Sequence, residues 1–143
     1  MQLPPTAEQF VQIIQQQGAN AAADLYDEFQ KTDPGAISVP ERYLNMMGYR
    51  TMQSGDPEAA LRLFKINAEL HPTSSNVWDS DADGCQAVGD TAQAIKCYEK
   101  VLQTLPDWDD GGTGLKEPLQ GIAEQGLARL RGEATESPDQ GDM

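Results

Sequence analysis

The stretch Asp79-Ser80-Asp81-Ala82-Asp83-Gly84 sets three carboxylates at alternate positions ahead of a glycine. In an open loop, alternate side chains can turn inward on one hard cation while the glycine makes the tight bend. Asp79, Asp81 and Asp83 are therefore candidate calcium ligands. Two features weigh against that chemistry. The twelfth position counted from Asp79 is Asp90, whose side chain is shorter than the Glu that usually chelates with two oxygens. Gln86 stands where such loops carry an apolar residue. The competing reading is a helix that carries an unusual aspartate at position 81.

The remaining reactive side chains are few. Cys85 and Cys97 are the only two cysteines, too few for a disulfide framework and with no zinc-motif spacing, so buried free thiols are expected, with a single disulfide as the alternative where the two side chains face each other. His71 is the single histidine and lies beside Pro72 at an expected helix end, where the helix dipole favours it. A second acidic cluster, Asp107-Trp108-Asp109-Asp110-Gly111-Gly112, has the composition of a solvated loop. The chain has no G-x-S-x-G, no phosphate-binding glycine loop and no dinucleotide fingerprint. No acid, base and nucleophile set is recognisable, so the sequence implies no catalytic residues, no cofactor and no enzyme.

Charge narrows the partners. A formal net charge of -13 over 143 residues opposes binding to nucleic acid, whose phosphates call for Lys and Arg, and to an anionic membrane surface. It would most easily steer in a basic or neutral protein or peptide; the competing reading is that the acidity only keeps the protein in solution. No stretch of the sequence is long and apolar enough for a membrane span. The N-terminal Met1-Gln2-Leu3-Pro4-Pro5 lacks the basic start and apolar core of a secretion signal. A complete chain of this kind is expected in the cytoplasm; for a fragment of a longer protein the compartment is open.

The elements that must position these residues repeat every 34 positions: Ala60, Phe64 and Pro72 return as Ala94, Tyr98 and Pro106, and Gly55-Asp56 returns as Gly89-Asp90. Each repeat reads as a helix pair. The first clear one, residues 38–74, opens with a Ser38-x-x-Glu41 capping box and Pro40 in the first turn, runs to about Ser54, breaks at Gly55 and restarts at Asp56-Pro57-Glu58. The second, residues 75–106, runs from near Ser75 to about Val88, turns at Gly89-Asp90 and stops at Pro106. Trp78, Ala82, Gly89 and Ala94 keep the helical phase straight through the acidic stretch. Ahead of them, residues 6–37 form a diverged hairpin. Thr6 caps a helix from Ala7 to Gln17, Gly18 ends it, and Asn20 caps a second helix to about Lys31. A final helix from about Glu117 to Arg131, within a capping segment of residues 115–131, presents Leu119, Ile122, Leu127 and Leu130 to the preceding pair. Residues 133–143 have the composition of a disordered tail. The expectation is one all-α domain over residues 1–132, a right-handed α-solenoid of about seven helices.

This period and its small, aromatic and proline positions resemble the tetratricopeptide repeat (TPR), whose pattern is W-x2-L-G-x2-Y, then A-x3-F, then P. Here it reads Leu44-x2-Met47-Gly48-x2-Thr51, Ala60-x3-Phe64, Pro72, and again Trp78-x2-Asp81-Ala82-x2-Cys85, Ala94-x3-Tyr98, Pro106. Leu44-Asn45-Met46-Met47-Gly48-Tyr49 and the run from Leu63 to Ser80 are also similar to the C-terminal TPR extension of bacterial beta-lactamase-like serine hydrolases and of some alpha/beta hydrolases. That likeness covers residues 38–106 and carries no catalytic activity, because the hydrolase itself is absent. Members of that group usually carry Leu where this chain has Asp81, at a position that faces the hairpin interior.

The resemblance also implies a binding face. In TPR arrays the first helix of each pair lines a concave groove, which places Arg42, Asn45, Tyr49, Met52 and Gln53, then Asn76, Asp79, Asp83, Gln86 and Ala87, on the partner-binding side. The Lys and Arg residues of a clamp for C-terminal carboxylates are missing from these positions. The expected function is a protein-interaction module for a basic or amide-rich peptide, with Tyr49 and Met52 able to anchor an apolar side chain. An accessory or dimerisation domain of a serine hydrolase, pairing two copies of the chain, is the main alternative, and a calcium-responsive helical protein is the other.

Overall fold

Thr6 starts the first helix with a full capping box: its hydroxyl accepts from Gln9 N at 3.1 Å while the Gln9 side chain accepts from Thr6 N at 2.9 Å. In the computed structural model, which describes residues 3–135, seven α-helices and one 3₁₀ turn follow in order. They are α1 (Ala7–Gln17), α2 (Ala19–Thr32), α3 (Glu41–Gln53), α4 (Pro57–Leu70), α5 (Ser75–Ala87), α6 (Thr91–Thr104), the 3₁₀ turn Leu105–Asp107, and α7 (Lys116–Thr135). No strand occurs among the described residues, so the fold is all-α. The contacts divide the chain after His71 into two compact units. Within each unit helices pack on their chain neighbours, as expected of a helical solenoid: α1 on α2 and α3 on α4 in the first, α5 on α6 and α6 on α7 in the second.

The hairpin turn is written twice. Gly55 and Gly89 hold φ of +102° and +82°, a region that side chains with a Cβ avoid. The aspartate after each glycine then caps the next helix: Asp56 accepts from Ala59 N at 3.1 Å and Asp90 from Gln93 N at 3.2 Å. The amides of the same two aspartates donate back to Thr51 O (3.2 Å) and Cys85 O (2.8 Å), which closes the turn in both hairpins.

In the first unit, Phe10, Tyr26, Leu44, Met47 and Leu63 form the core together with Ile37 and Val39 of the extended link before α3. Gly48 is small for a reason visible in the packing. The Phe64 ring lies where a Cβ on Gly48 would be, and Tyr49 meets that ring edge-on at 4.9 Å between centroids. Arg62 of α4 reaches α2, donating to Asn20 Oδ1 (3.0 Å), Asp24 Oδ1 (2.8 Å) and Asp27 Oδ2 (3.1 Å). His71 Nε2 donates to Val39 O at 2.7 Å, since a carbonyl oxygen can only accept, and so ties the end of α4 to the link.

In the second unit, Val77, Ala82, Ala94, Tyr98 and Val101 are buried along α5 and α6. The Tyr98 ring occupies the space a Cβ on Gly126 of α7 would need. Leu119, Ala123, Leu127 and Leu130 bury the inner face of α7, and Arg131 pairs with Glu99 of α6 at 2.8 Å.

Four local expectations are corrected. Ser38 does not cap α3; Pro40 precedes its first turn without a side-chain cap, because Ile37 and Val39 are drawn into the core and Ser38 faces solvent between them. Asn20 lies inside α2, which starts at Ala19 directly after Gly18, and its side chain serves Arg62 instead. Ile122 is 45% exposed, since Ala123 and not Ile122 lies on the side of α7 that meets α6. Residues 133–135 continue α7, and the rest of the tail expected to be disordered lies outside the described residues.

Candidate functional site

α5 is helical from Ser75 to Ala87, straight through the acidic stretch. Side chains two apart on a helix diverge by about 200°, whereas those three or four apart share a face. Asp79, Asp83 and Gln86 therefore line one side of α5 and Asp81 enters another. The calcium-loop expectation for Asp79, Asp81 and Asp83 is overturned on this ground, because the three carboxylates do not face a common point.

The Asp79–Gln86 face is joined by side chains from two other helices. Gln86 Nε2 donates to the Tyr98 hydroxyl of α6 at 3.0 Å, and Arg129 Nη2 of α7 donates to Gln86 Oε1 at 2.7 Å. Arg129 also pairs with Glu133 one turn on, at 3.6 Å. Asp79 is half-buried, and its Oδ1 is fully buried with no hydrogen-bond partner. Burial, and then the Asp83 carboxylate beside it, push the Asp79 pKa up to about 6. The Tyr98 hydroxyl is raised above the usual tyrosine value by burial, with Asp83 and Asp79 adding to the rise against Gln86 and Arg129. Two carboxylates, an amide, a phenol and one guanidinium are thus held on a fixed helical frame. Such a set can accept hydrogen bonds from a cation and donate one through Arg129.

The other predicted groove residues are distributed as follows. Asn76 is half-buried and Ala87 exposed on α5. In the first unit Arg42 and Gln53 of α3 are exposed, while Asn45, Tyr49 and Met52 are half-buried on the same helix. Arg42 stacks over the Tyr43 ring at 4.9 Å and donates to its hydroxyl. Tyr49 is committed to Phe64, so its ring is chiefly a packing element.

Asp81 is only 3% exposed. Cys85 donates its thiol to Asp81 Oδ1 at 3.6 Å, and Cys97 of α6 faces both. Both cysteines are free and buried. The Cys97 thiol is pushed far above its usual range by its hydrogen bond with Cys85, by burial and by the Asp81 charge. The second acidic cluster is spent on its own loop: Asp109 and Asp110 accept from Gly111 N and Gly112 N, and Asp110 also from Lys116 N. His71 is occupied by Val39.

Sequence reasoning missed three members of these arrangements. Arg129 was hidden because the loop of residues 107–114 breaks the 34-residue phase ahead of α7. The Tyr98 hydroxyl lies outside the repeat pattern, which calls only for an aromatic ring at that position. The meeting of Cys97 with Asp81 had a usable signal: positions 47, 51 and 63 of the first repeat return as 81, 85 and 97. No protein-family model matches this chain. Comparison with curated proteins likewise finds no match.

Proposed function

We propose that this chain is a non-enzymatic interaction module of the tetratricopeptide type, and that the α5 face receives a cationic group of a peptide or protein partner. The observation that carries the reading is Asp79, whose buried Oδ1 has no partner in the protein and sits beside Asp83. A buried carboxylate oxygen left without a donor is costly, and a partner's ammonium or guanidinium set against Asp79 and Asp83 would offset that cost by compensating their negative charge. Gln86, held by Tyr98 and Arg129, offers a fixed amide next to it for a peptide backbone group. The repeated hairpin turns and the acidic charge of the whole chain support the same reading.

The test is selection from a random nonapeptide library on the immobilised full chain, followed by fluorescence anisotropy with the peptides recovered. Lys or Arg should be enriched at one position. Asp79→Asn and Asp83→Asn should each weaken binding about tenfold, in the range expected for a hydrogen-bonded charge pair. Failure to enrich any peptide, or recovered peptides that bind both variants as tightly as the parent, would refute the assignment.

A further inference from the structure

The interior of the α5–α6 hairpin contains a second constellation, separate from the face just described. Asp81 and Cys85 stand one turn apart on α5, and Cys97 projects from α6. One ligand-type atom from each lies within 4.8 Å of the other two, and all three residues are buried. Cys85 is 0%, Asp81 3% and Cys97 4% exposed.

A 34-residue shift turns this cluster into a comparison. The same three stations in the α3–α4 hairpin are Met47, Thr51 and Leu63, of which Met47 and Leu63 belong to an ordinary apolar core. The frame therefore has an apolar solution available at these stations. In the second hairpin every one of the three carries a side chain that ligates metals. Replacing Met by Asp at a buried position costs several kcal/mol unless the charge is compensated. One such change reads as an accident of drift; three that meet at one point and share one chemistry do not.

We propose that Asp81, Cys85 and Cys97 bind a zinc-like divalent cation, with one carboxylate oxygen and two thiolates as ligands.

The geometry suits it. A tetrahedral zinc with Zn–S of about 2.3 Å and Zn–O of about 2.0 Å separates its ligand atoms by roughly 3.5–3.8 Å. Cys85 Sγ and Asp81 Oδ1 are 3.6 Å apart. The i, i+4 pair on α5 forms one chelating edge, and Cys97 closes it from the facing helix. Two thiolates select a soft or borderline cation over calcium or magnesium. On binding, the thiol protons of Cys85 and Cys97 leave to solvent, and the three anionic ligands against a dication leave a net charge of -1 at the site. A water or another oxygen completes the fourth position in this type of site. Because the cluster is buried, the cation enters as the hairpin opens or folds, so binding couples to stability.

The whole chain, reduced and stripped with a chelator, tests this by titration with Co²⁺ and then Zn²⁺. The chain has two cysteines and one histidine in all, so a thiolate-to-cobalt charge-transfer band in the near ultraviolet can arise only from Cys85 and Cys97. Expected are that band at one Co²⁺ per chain, its loss on adding Zn²⁺, and a rise in melting temperature with Zn²⁺. Cys97→Leu and Asp81→Met install the residues of the other hairpin, which keeps the variants foldable. Cys97→Leu should lose one thiolate's share of the band, and Asp81→Met should weaken Zn²⁺ at least about tenfold. Should either variant fail to fold, the wild-type band and stoichiometry decide alone. A wild-type chain with no charge-transfer band overturns the proposal, whether it takes up cobalt only on surface carboxylates or forms a Cys85–Cys97 disulfide instead. So does Zn²⁺ affinity that is the same in both folded variants as in the parent.

Discussion

The α3–α4 and α5–α6 hairpins share a frame and differ in what fills it. Both turn on a positive-φ glycine followed by a capping aspartate, and both close the turn with the same backbone bond. Both place an alanine, Ala60 or Ala94, in a fully buried position on the second helix, with an aromatic ring one turn on. Even the polar tie between the first turn of one helix and the body of the other recurs at the same sequence separation, with the roles exchanged. Asn67 reaches back to Glu41 O in one hairpin, and Ser75 reaches forward to Val101 O in the other. At the matching stations inside this frame the first hairpin carries Met47, Thr51 and Leu63 and the second a carboxylate and two thiols. On the outer face of the first helix, Asn45, Tyr49 and Met52 give way to Asp79, Asp83 and Gln86. The frame depends on turn chemistry and on rings seated over small residues. Its contents can therefore change chemistry without changing the fold, provided volume is kept.

The largest expected effect breaks the frame itself. Phe64 is fully buried, with its ring against Gly48 and Tyr49. Phe64→Ala should cost about 3–5 kcal/mol, read from urea unfolding monitored by circular dichroism. A loss under about 1 kcal/mol would mean that the ring is not what spaces the helices.

A smaller effect sharpens the comparison, because the two hairpins solve the same close approach with different residues. Gly48 in the first corresponds to Ala82 in the second. A methyl at Gly48 would collide with the Phe64 ring, while Ala82 is accommodated and fully buried. Gly48→Ala should destabilise by about 1–3 kcal/mol through overpacking, in spite of the better helix propensity of alanine. Ala82→Gly should also destabilise, by about 1 kcal/mol, from lost packing and added chain entropy. Opposite substitutions with the same sign would show that each hairpin is packed around the residue it carries. A gain in stability from Gly48→Ala would refute the close approach.

Much of the frame was legible in the chain because it rests on local rules. Thr6, Gly18, Gly55-Asp56 and Gly89-Asp90 each act within one turn of their own position, and all of them do as read. The failures lie where a distant residue decides. Asn20 is a poor cap beside Gly18 and a good partner for Arg62, which is 42 residues away. Ser38 yields its cap because its neighbours Ile37 and Val39 are needed in the core. Ile122 and Ala123 are interchangeable by periodicity alone, and the approach of α6 selects the smaller. For the candidate site, the repeat register put Asp79, Asp83 and Gln86 on one side of α5, and Gln86 meets Tyr98 and Arg129 there, but nothing local announced Arg129. The oddness of Asp81 was plain in sequence. Its thiol neighbours were not, since that step requires reading contacts of one repeat onto the other.

The smallest effect concerns Asp79, and it tests whether the outer faces differ as the interiors do. Its counterpart in the first hairpin is Asn45, so Asp79→Asn makes α5 resemble α3 at that station. In the folded chain Asp79 has its pKa raised from 3.8 to about 6 by burial and by Asp83. Between those two values the folded state holds a proton that the unfolded state has released. Stability therefore falls as pH rises through this window, and the full cost is present above it. A two-unit shift corresponds to at most about 3 kcal/mol. The side chain keeps some solvent contact, so about 1 kcal/mol is expected. Asp79→Asn should thus be more stable than the parent by about that amount near neutral pH, with the advantage vanishing near pH ~4. Urea midpoints for both proteins across the window measure it. A cationic peptide bound at the face should erase the difference from the parent's side, because it gives the ionised carboxylate the partner it lacks. If parent and variant share one pH profile, Asp79 is better solvated than its buried oxygen implies, and the α5 face has no special demand for a cation.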